Sequence, residues 1–291
     1  MPTVVAKQVH RLAAVVLTIS MLAGIGIVQA SENTVPLGVN QAVGALAYAW
    51  QTKTLYKSDG KALYSSDDGG RQWAKMPLAA LAHGSLITAV AVTAVGQGTL
   101  YVAGPGLGVL RSVDAGKRWV SVSRGLPRRD VIALATRSTA PDTVYAVVKG
   151  KGIYRSENGG TLWRLMGKGP PAEIRQIIHT NMAGSMQTGW LFAATDKGVY
   201  RSMDCFCGFR NAGNLPGPVG AVAYDPKQPK ELYAAVGERV FNSANGGQQW
   251  HPVGSPGARV TGLTYSPAGV LYALLAGGRV MRSNDNGMHW K

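Results

Sequence analysis

A chain of 291 residues, 46% hydrophobic and 15% charged, holds ample apolar material for a buried core, which excludes a disordered chain. Thirty-eight glycines and fifteen prolines, set among short Val, Leu, Tyr and Ala runs, exclude a helical bundle and point to an all-β protein rich in tight turns. A formal charge of +15 favours an acidic partner.

The first element is a targeting segment. Lys7, His10 and Arg11 precede an apolar run from Leu12 to Val28, and Val28-Gln29-Ala30 fits the small-residue pattern of a signal-peptidase site. Residues 1–30 are expected to be a signal peptide cleaved after Ala30. An uncleaved anchor giving membrane association is the alternative, because the run approaches bilayer-spanning length. Cleavage would remove Lys7 and Arg11 and leave +13 on residues 31–291. The expected location is then periplasmic or secreted. Export disfavours nucleic acid as the partner and favours an acidic protein surface, a polyanion, an acidic glycan or anionic lipid.

From residue 43 onward the sequence repeats itself. The pattern Ser-x-Asp/Asn-x-Gly-x-x-Trp occurs as Ser66-Asp68-Gly70-Trp73, Ser112-Asp114-Gly116-Trp119, Ser156-Asn158-Gly160-Trp163, Ser243-Asn245-Gly247-Trp250 and Ser283-Asp285-Gly287-Trp290. A degenerate copy, Ser202-Asp204, has Phe206 in place of Gly and Phe209 in place of Trp. Successive copies start 46, 44, 46, 41 and 40 residues apart, a period that signals a propeller or array. Each copy follows a paired apolar context such as Val144 to Val147 and Gly152 to Ser156. Upstream of that pair lies a third apolar run: Val43 to Trp50, Ile87 to Ala94, Val131 to Ala135, Ile174 to Ile178, Val219 to Tyr224 and Val260 to Tyr265. With the strand that the Trp begins, each unit has four strands. Six such units, each too small to bury both faces, are expected to close into a six-bladed β-propeller of four-stranded antiparallel blades. The last copy reaches Trp290-Lys291 without a full outer strand, so Thr34 to Val39 is expected to complete the last blade and hide its edge.

On these motifs the sequence resembles the Asp-box (bacterial neuraminidase) repeat propellers over roughly residues 35 to 291. That group includes sialidases, sortilin-type receptors, oligoxyloglucan hydrolases and the photosystem II assembly-factor family, and in repeat style the chain is most similar to the last. The resemblance implies a propeller fold and leaves the function open.

The boxes themselves read as folding devices. Asp or Asn accepts backbone N–H bonds in its own turn, Gly permits the positive φ the turn needs, and Trp packs between blades. Arg111, Arg155, Arg201 and Arg282, which precede boxes, read as blade-surface residues. Functional candidates are therefore residues that break the repeat on the face opposite the boxes. Arg124, Arg128, Arg129, Lys149, Lys151, Arg175 and Arg259 are the nominated binding residues, densest on blades three and four. On that face Lys and Arg outnumber the acids Asp59, Asp130, Glu173, Asp196 and Glu238.

Enzymatic chemistry finds little support. A sialidase shows an early Phe/Tyr-Arg-Ile-Pro segment, which this sequence lacks. A glycosidase needs two carboxylates across a cleft. Asp130 and Glu173 are the only pair to nominate, and neighbouring Arg128, Arg129 and Arg175 read as their ion-pair partners. His83, His179, His251 and His289 sit in no catalytic motif, and neither a metal site nor a cofactor is expected. Cys205 and Cys207 could form a tight local disulfide or stand as a variant turn. The reading is a non-catalytic exported binding or assembly scaffold with a basic face. The alternative is a glycan-binding protein or sialidase-like glycoside hydrolase.

Overall fold

Alternating short strands separated by Gly-rich turns can only satisfy their backbone groups by pairing with their neighbours, and here they pair in order as meanders. The computed structural model describes residues 44–78, 84–94, 98–186, 189–203, 205–206 and 208–291, all within the unit Asn40–Lys291. The signal segment, the expected closing strand at residues 34–39, His83, Asp204 and Cys207 lie outside the described residues.

Blade 1 consists of β1 (Ala45–Ala49), β2 (Thr54–Ser58), β3 (Leu63–Ser66) and β4 (Ala74–Lys75). Blade 2 has β5 (Ala89–Val92), β6 (Leu100–Gly104), β7 (Gly108–Ser112) and β8 (Val120–Ser121). Blade 3 has β9 (Val131–Thr136), β10 (Val144–Val148), β11 (Gly152–Ser156) and β12 (Arg164–Gly167). In blade 4 the strands are β13 (Ile174–Thr180), β14 (Trp190–Thr195), β15 (Gly198–Met203) and β16 (Arg210–Asn211). Blade 5 contributes β17 (Val219–Asp225), β18 (Gln228–Val236), β19 (Arg239–Ser243) and β20 (His251–Gly254), and blade 6 β21 (Val260–Tyr265), β22 (Leu271–Leu275) and β23 (Val280–Ser283). Each sheet is antiparallel in sequence order. The sixth has three strands among the described residues, with Lys291 exchanging both backbone bonds with Arg282 at the place where an outer strand starts elsewhere.

The first strands of the blades touch one another in a closed cycle, β1 to β5, β9, β13, β17, β21 and back to β1. This is a six-bladed β-propeller. Its core is divided among six interfaces, each cluster of buried side chains joining two neighbouring blades. Tyr101 and Ala89 of blade 2 pack with Val131 and Trp163 of blade 3, for example, and Leu46 and Leu55 of blade 1 with Tyr272 and Leu274 of blade 6. Such burial stabilises by roughly 25 cal/mol per Å² of apolar surface, which makes every interface a contributor and none dispensable.

Antiparallel order fixes which loops share a face. The turns after each first strand lie with the box turns, and the second-to-third-strand turns lie with the loops between blades.

The boxes work as the sequence implies. In blade 1 the Ser66 hydroxyl donates to Asp68 and accepts the Gly70 N–H, while Asp68 accepts the amides of Arg71 and Gln72. The same bonds recur around Ser112, Ser156, Ser243 and Ser283. Trp163 and Trp250 donate their indole N–H groups to Val122 and Ala212 of the preceding blade. The degenerate box differs: Ser202 donates to its neighbour Met203 O, and Phe206 takes φ 56°.

The arginines before the boxes are more than surface residues. Arg111 of blade 2 pairs with Asp142 of blade 3 at 3.5 Å, and Arg201 of blade 4 donates to Gly246 O of blade 5 at 2.8 Å while lying over Trp190. A Cβ added at Gly159 would lie 2.7 Å from Arg111 Cζ. Where Arg111, Arg201 or Arg282 precedes, the next box has Gly159, Gly246 or Gly69. Where Ser65 or Asn242 precedes, it has Ala115 or Asn286. Bulk on one blade is matched by its absence on the next in these five interfaces; the exception is Arg155, which faces Cys205 of the degenerate box and pairs with Glu157 of its own blade.

Candidate functional site

The six first strands surround an axial channel divided into two cavities. Leu46, Val90, Leu134 and Gln176 line both and form the partition. The larger cavity, about 130 Å³, lies toward the box face. Its wall is a girdle of structurally equivalent residues, Tyr48, Val92, Thr136, His179, Tyr224 and Tyr265, each paired across its hairpin with Leu or Val. Three girdle rings are stacked from behind by a Tyr of the preceding blade: Tyr272 on Tyr48, Tyr145 on His179 and Tyr233 on Tyr265. Burial pushes the Tyr224 hydroxyl up to about 12, with the Ser138 hydroxyl beside it acting in the opposite direction.

The smaller cavity, about 40 Å³, lies toward the opposite face. Here the first strands of blades 3 to 6 carry a register shift near their starts, which brings Arg175 of blade 4 and Thr261 of blade 6 to the channel. The residue three before the girdle position is Ala or Gly in five blades (Ala45, Ala89, Ala133, Ala221, Gly262) and Gln176 in blade 4. Gln176 Oε1 accepts the Val222 N–H of blade 5 at 2.7 Å. Arg175 and Gln176 thus break the repeat at the channel. Sequence reasoning nominated the first and missed the second, although alignment of the six first strands would have exposed it.

The remaining nominated cations occupy the loops of this face. Arg124, Arg128 and Arg129 lie between β8 and β9, Lys149 and Lys151 in the β10–β11 turn, and all five are exposed. Two backbone bonds tie these loops together, Gly108 N–H to Arg129 O and Lys149 N–H to Asp130 O, both 2.9 Å. Arg259 enters blade 6, across the ring from that cluster.

Three acids of the face, Asp59, Asp130 and Asp196, hold backbone amides. Asp59 accepts the amides of Lys61 and Ala62 and the Tyr64 hydroxyl; burial alone would raise its carboxyl, but these bonds outweigh it and lower it. Asp196 accepts the Glu173 amide at 2.7 Å, and Asp130 the Gly106 amide at 3.3 Å. The expectation that Arg128, Arg129 and Arg175 pair with Asp130 and Glu173 is corrected. Among the described residues the ion pairs are Arg111–Asp142, Arg118–Asp114 and Arg155–Glu157, and His289 Nδ1 is hydrogen-bonded to Asp285, all on the box side. Loop amides outcompete the arginines for the carboxylates because they are fixed in place, whereas a long side chain loses rotamer entropy on pairing. Neither Asp130 nor Glu173 lines either cavity.

Cys205 is disulfide-bonded, and the chain's other cysteine, Cys207, is outside the described residues. Among the described residues no group of His, Cys, Asp and Glu is arranged to hold a metal ion.

Residues 28–291 match the family described as photosynthesis system II assembly factor YCF48. The chain belongs to the YCF48 family. No curated protein matches it significantly. Among solved structures, YCF48 bound to D1 peptide is similar at 18% identity and TM-score 0.50, over 70% of this chain and 67% of that one. A GH74 enzyme of Niastella koreensis is similar at 18% identity and TM-score 0.61, over 87% of this chain. The YCF48-family chain spans only 47% of that enzyme's length. A chain of a nidogen/laminin complex is similar at 13% identity and TM-score 0.63, over 79% of this chain and 88% of that one. At these identities the structural likenesses speak for the propeller alone.

Proposed function

We propose that this YCF48-family propeller is an exported, non-catalytic assembly scaffold that binds an acidic segment of a partner protein on the face opposite its boxes. The observation that carries the reading is the distribution of neutralised charge. Every ion pair among the described residues lies on the box side, while Asp59, Asp130 and Asp196 of the other face are engaged by loop amides. Arg124, Arg128, Arg129, Lys149 and Lys151 therefore stand exposed around the channel mouth with Arg175 at its edge. Such a surface attracts an extended polyanion over a Debye length of about 10 Å and holds it by charge-assisted bonds. Family membership and the peptide-bound YCF48 structure support a protein partner. Export rests on the Leu12–Val28 run.

Affinity capture from the native envelope tests this reading, comparing the wild type with an Arg128→Ala, Arg129→Ala, Arg175→Ala variant. A specific partner retained by the wild type at low salt and lost both at high salt and in the variant supports the scaffold. Glycan hydrolysis that disappears with Asp130→Asn or Glu173→Gln, in the absence of such a partner, would establish the hydrolase instead.

A further inference from the structure

The channel end facing the boxes is separate from the basic face and unused by the proposed scaffold function. We propose that it is a second binding site, for one neutral, hydroxyl-bearing six-membered ring such as a single sugar residue.

Size sets the first limit. An enclosed apolar cavity of about 150 Å³ takes up benzene, so a cup of about 130 Å³ seats one six-membered ring, whose outer substituents project through the open end.

Charge sets the second. No Asp, Glu, Lys or Arg lines the cavity. The tyrosines of its wall are also held neutral, burial raising the hydroxyls of Tyr48, Tyr224 and Tyr265. An ion entering here would lose hydration with no opposite charge to receive it, which excludes carboxylates, phosphates and ammonium groups.

Polarity of the wall separates the remaining ligands. The base of the cup is aliphatic, formed by Leu46, Val90, Leu134, Ile177, Val222 and Leu263. Above it the wall turns polar, with Thr136, Ser138, Thr264 and the girdle tyrosines, and Trp50 half-exposed at the end. Thr136 already donates to Val92 O and Tyr265 to Asn286, while Thr264 has no such bond. A purely apolar ring would cover the Thr264 hydroxyl and strand it. A pyranose-like ring places its C–H face on the aliphatic base and its hydroxyls against the wall, which satisfies both parts.

Titration of the full chain with D-glucose, followed by NMR at the Thr136, Thr264 and Trp50 resonances, tests the proposal, with toluene as the apolar six-membered ring for comparison. The expected result is a saturable glucose response at those residues and none with toluene. Thr264→Val and Ser138→Ala should each weaken glucose about fivefold, as loss of one hydrogen bond requires. No saturable glucose response, a response untouched by both variants, or binding of toluene alone would overturn the site. The Arg128→Ala, Arg129→Ala, Arg175→Ala variant should bind glucose as the wild type does, so failure here is distinguishable from failure of the basic-face reading.

Discussion

Tyr272 of the sixth blade stacks on Tyr48 of the first, ring centroids 5.9 Å apart and planes 13° from parallel. The contact that closes the ring is therefore of the same kind as Tyr145 on His179 and Tyr233 on Tyr265 between consecutive blades. Side-chain packing thus joins the sixth blade to the first as it joins consecutive blades. Tyr272→Ala is expected to cost about 3–5 kcal/mol in chemical denaturation, the range for removing a large buried aromatic. Tyr272→Phe, which keeps the stack, should cost less than about 1.5 kcal/mol.

The Arg111–Gly159 pairing makes a second test. Gly159 has φ 67°, and a Cβ there meets the guanidinium carbon at 2.7 Å. Gly159→Ala should destabilise by about 1–2 kcal/mol from the left-handed backbone alone, and further from the clash. In an Arg111→Ser background the added penalty should shrink, since a serine precedes the naturally occurring Ala115. A double-mutant cycle with additive losses would contradict the pairing.

Acid sensitivity follows from the boxes. The Arg118 side chain and amide hold the Asp114 carboxyl well below the usual carboxylate range, and the His289 amide with the Ser283 hydroxyl does the same for Asp285. The amide of Gln72 and the Ser66 hydroxyl likewise lower Asp68. A carboxyl depressed in the folded state contributes stability that is present above its unfolded value of about 3.9 and is lost as pH falls through the folded value. The denaturation midpoint should accordingly drop as pH is lowered below about 4. Asp114→Asn and Asp285→Asn, which copy Asn158 and Asn245, should reduce that drop.

The blade count and the strand order were legible in the sequence, because the box recurs at a fixed place in a four-stranded antiparallel unit. Arg128 and Lys149 could be placed on one face from strand alternation alone. Charge pairing was not legible: Asp130 stands next to Arg129 in sequence, yet its carboxylate turns to the Gly106 amide of the neighbouring hairpin. Gln176 and the girdle were hidden for a different reason. Residues such as Tyr48 and Val92 follow the apolar pattern of a buried strand, and only ring closure gives that strand a free edge on a channel. The Arg–Gly matching between blades was present as covariation inside the chain, and became meaningful only once the blades were seen side by side.

The central claim is tested most directly by the affinity of the purified chain for an Asp/Glu-rich peptide as a function of salt. Binding is expected to weaken steadily with ionic strength, to fall at least about tenfold, or 1.4 kcal/mol, in the Arg128→Ala, Arg129→Ala, Arg175→Ala variant, and to be unchanged by Lys117→Ala with Arg118→Ala on the box face. Binding indifferent to salt, or reduced equally by the box-face pair, would contradict it.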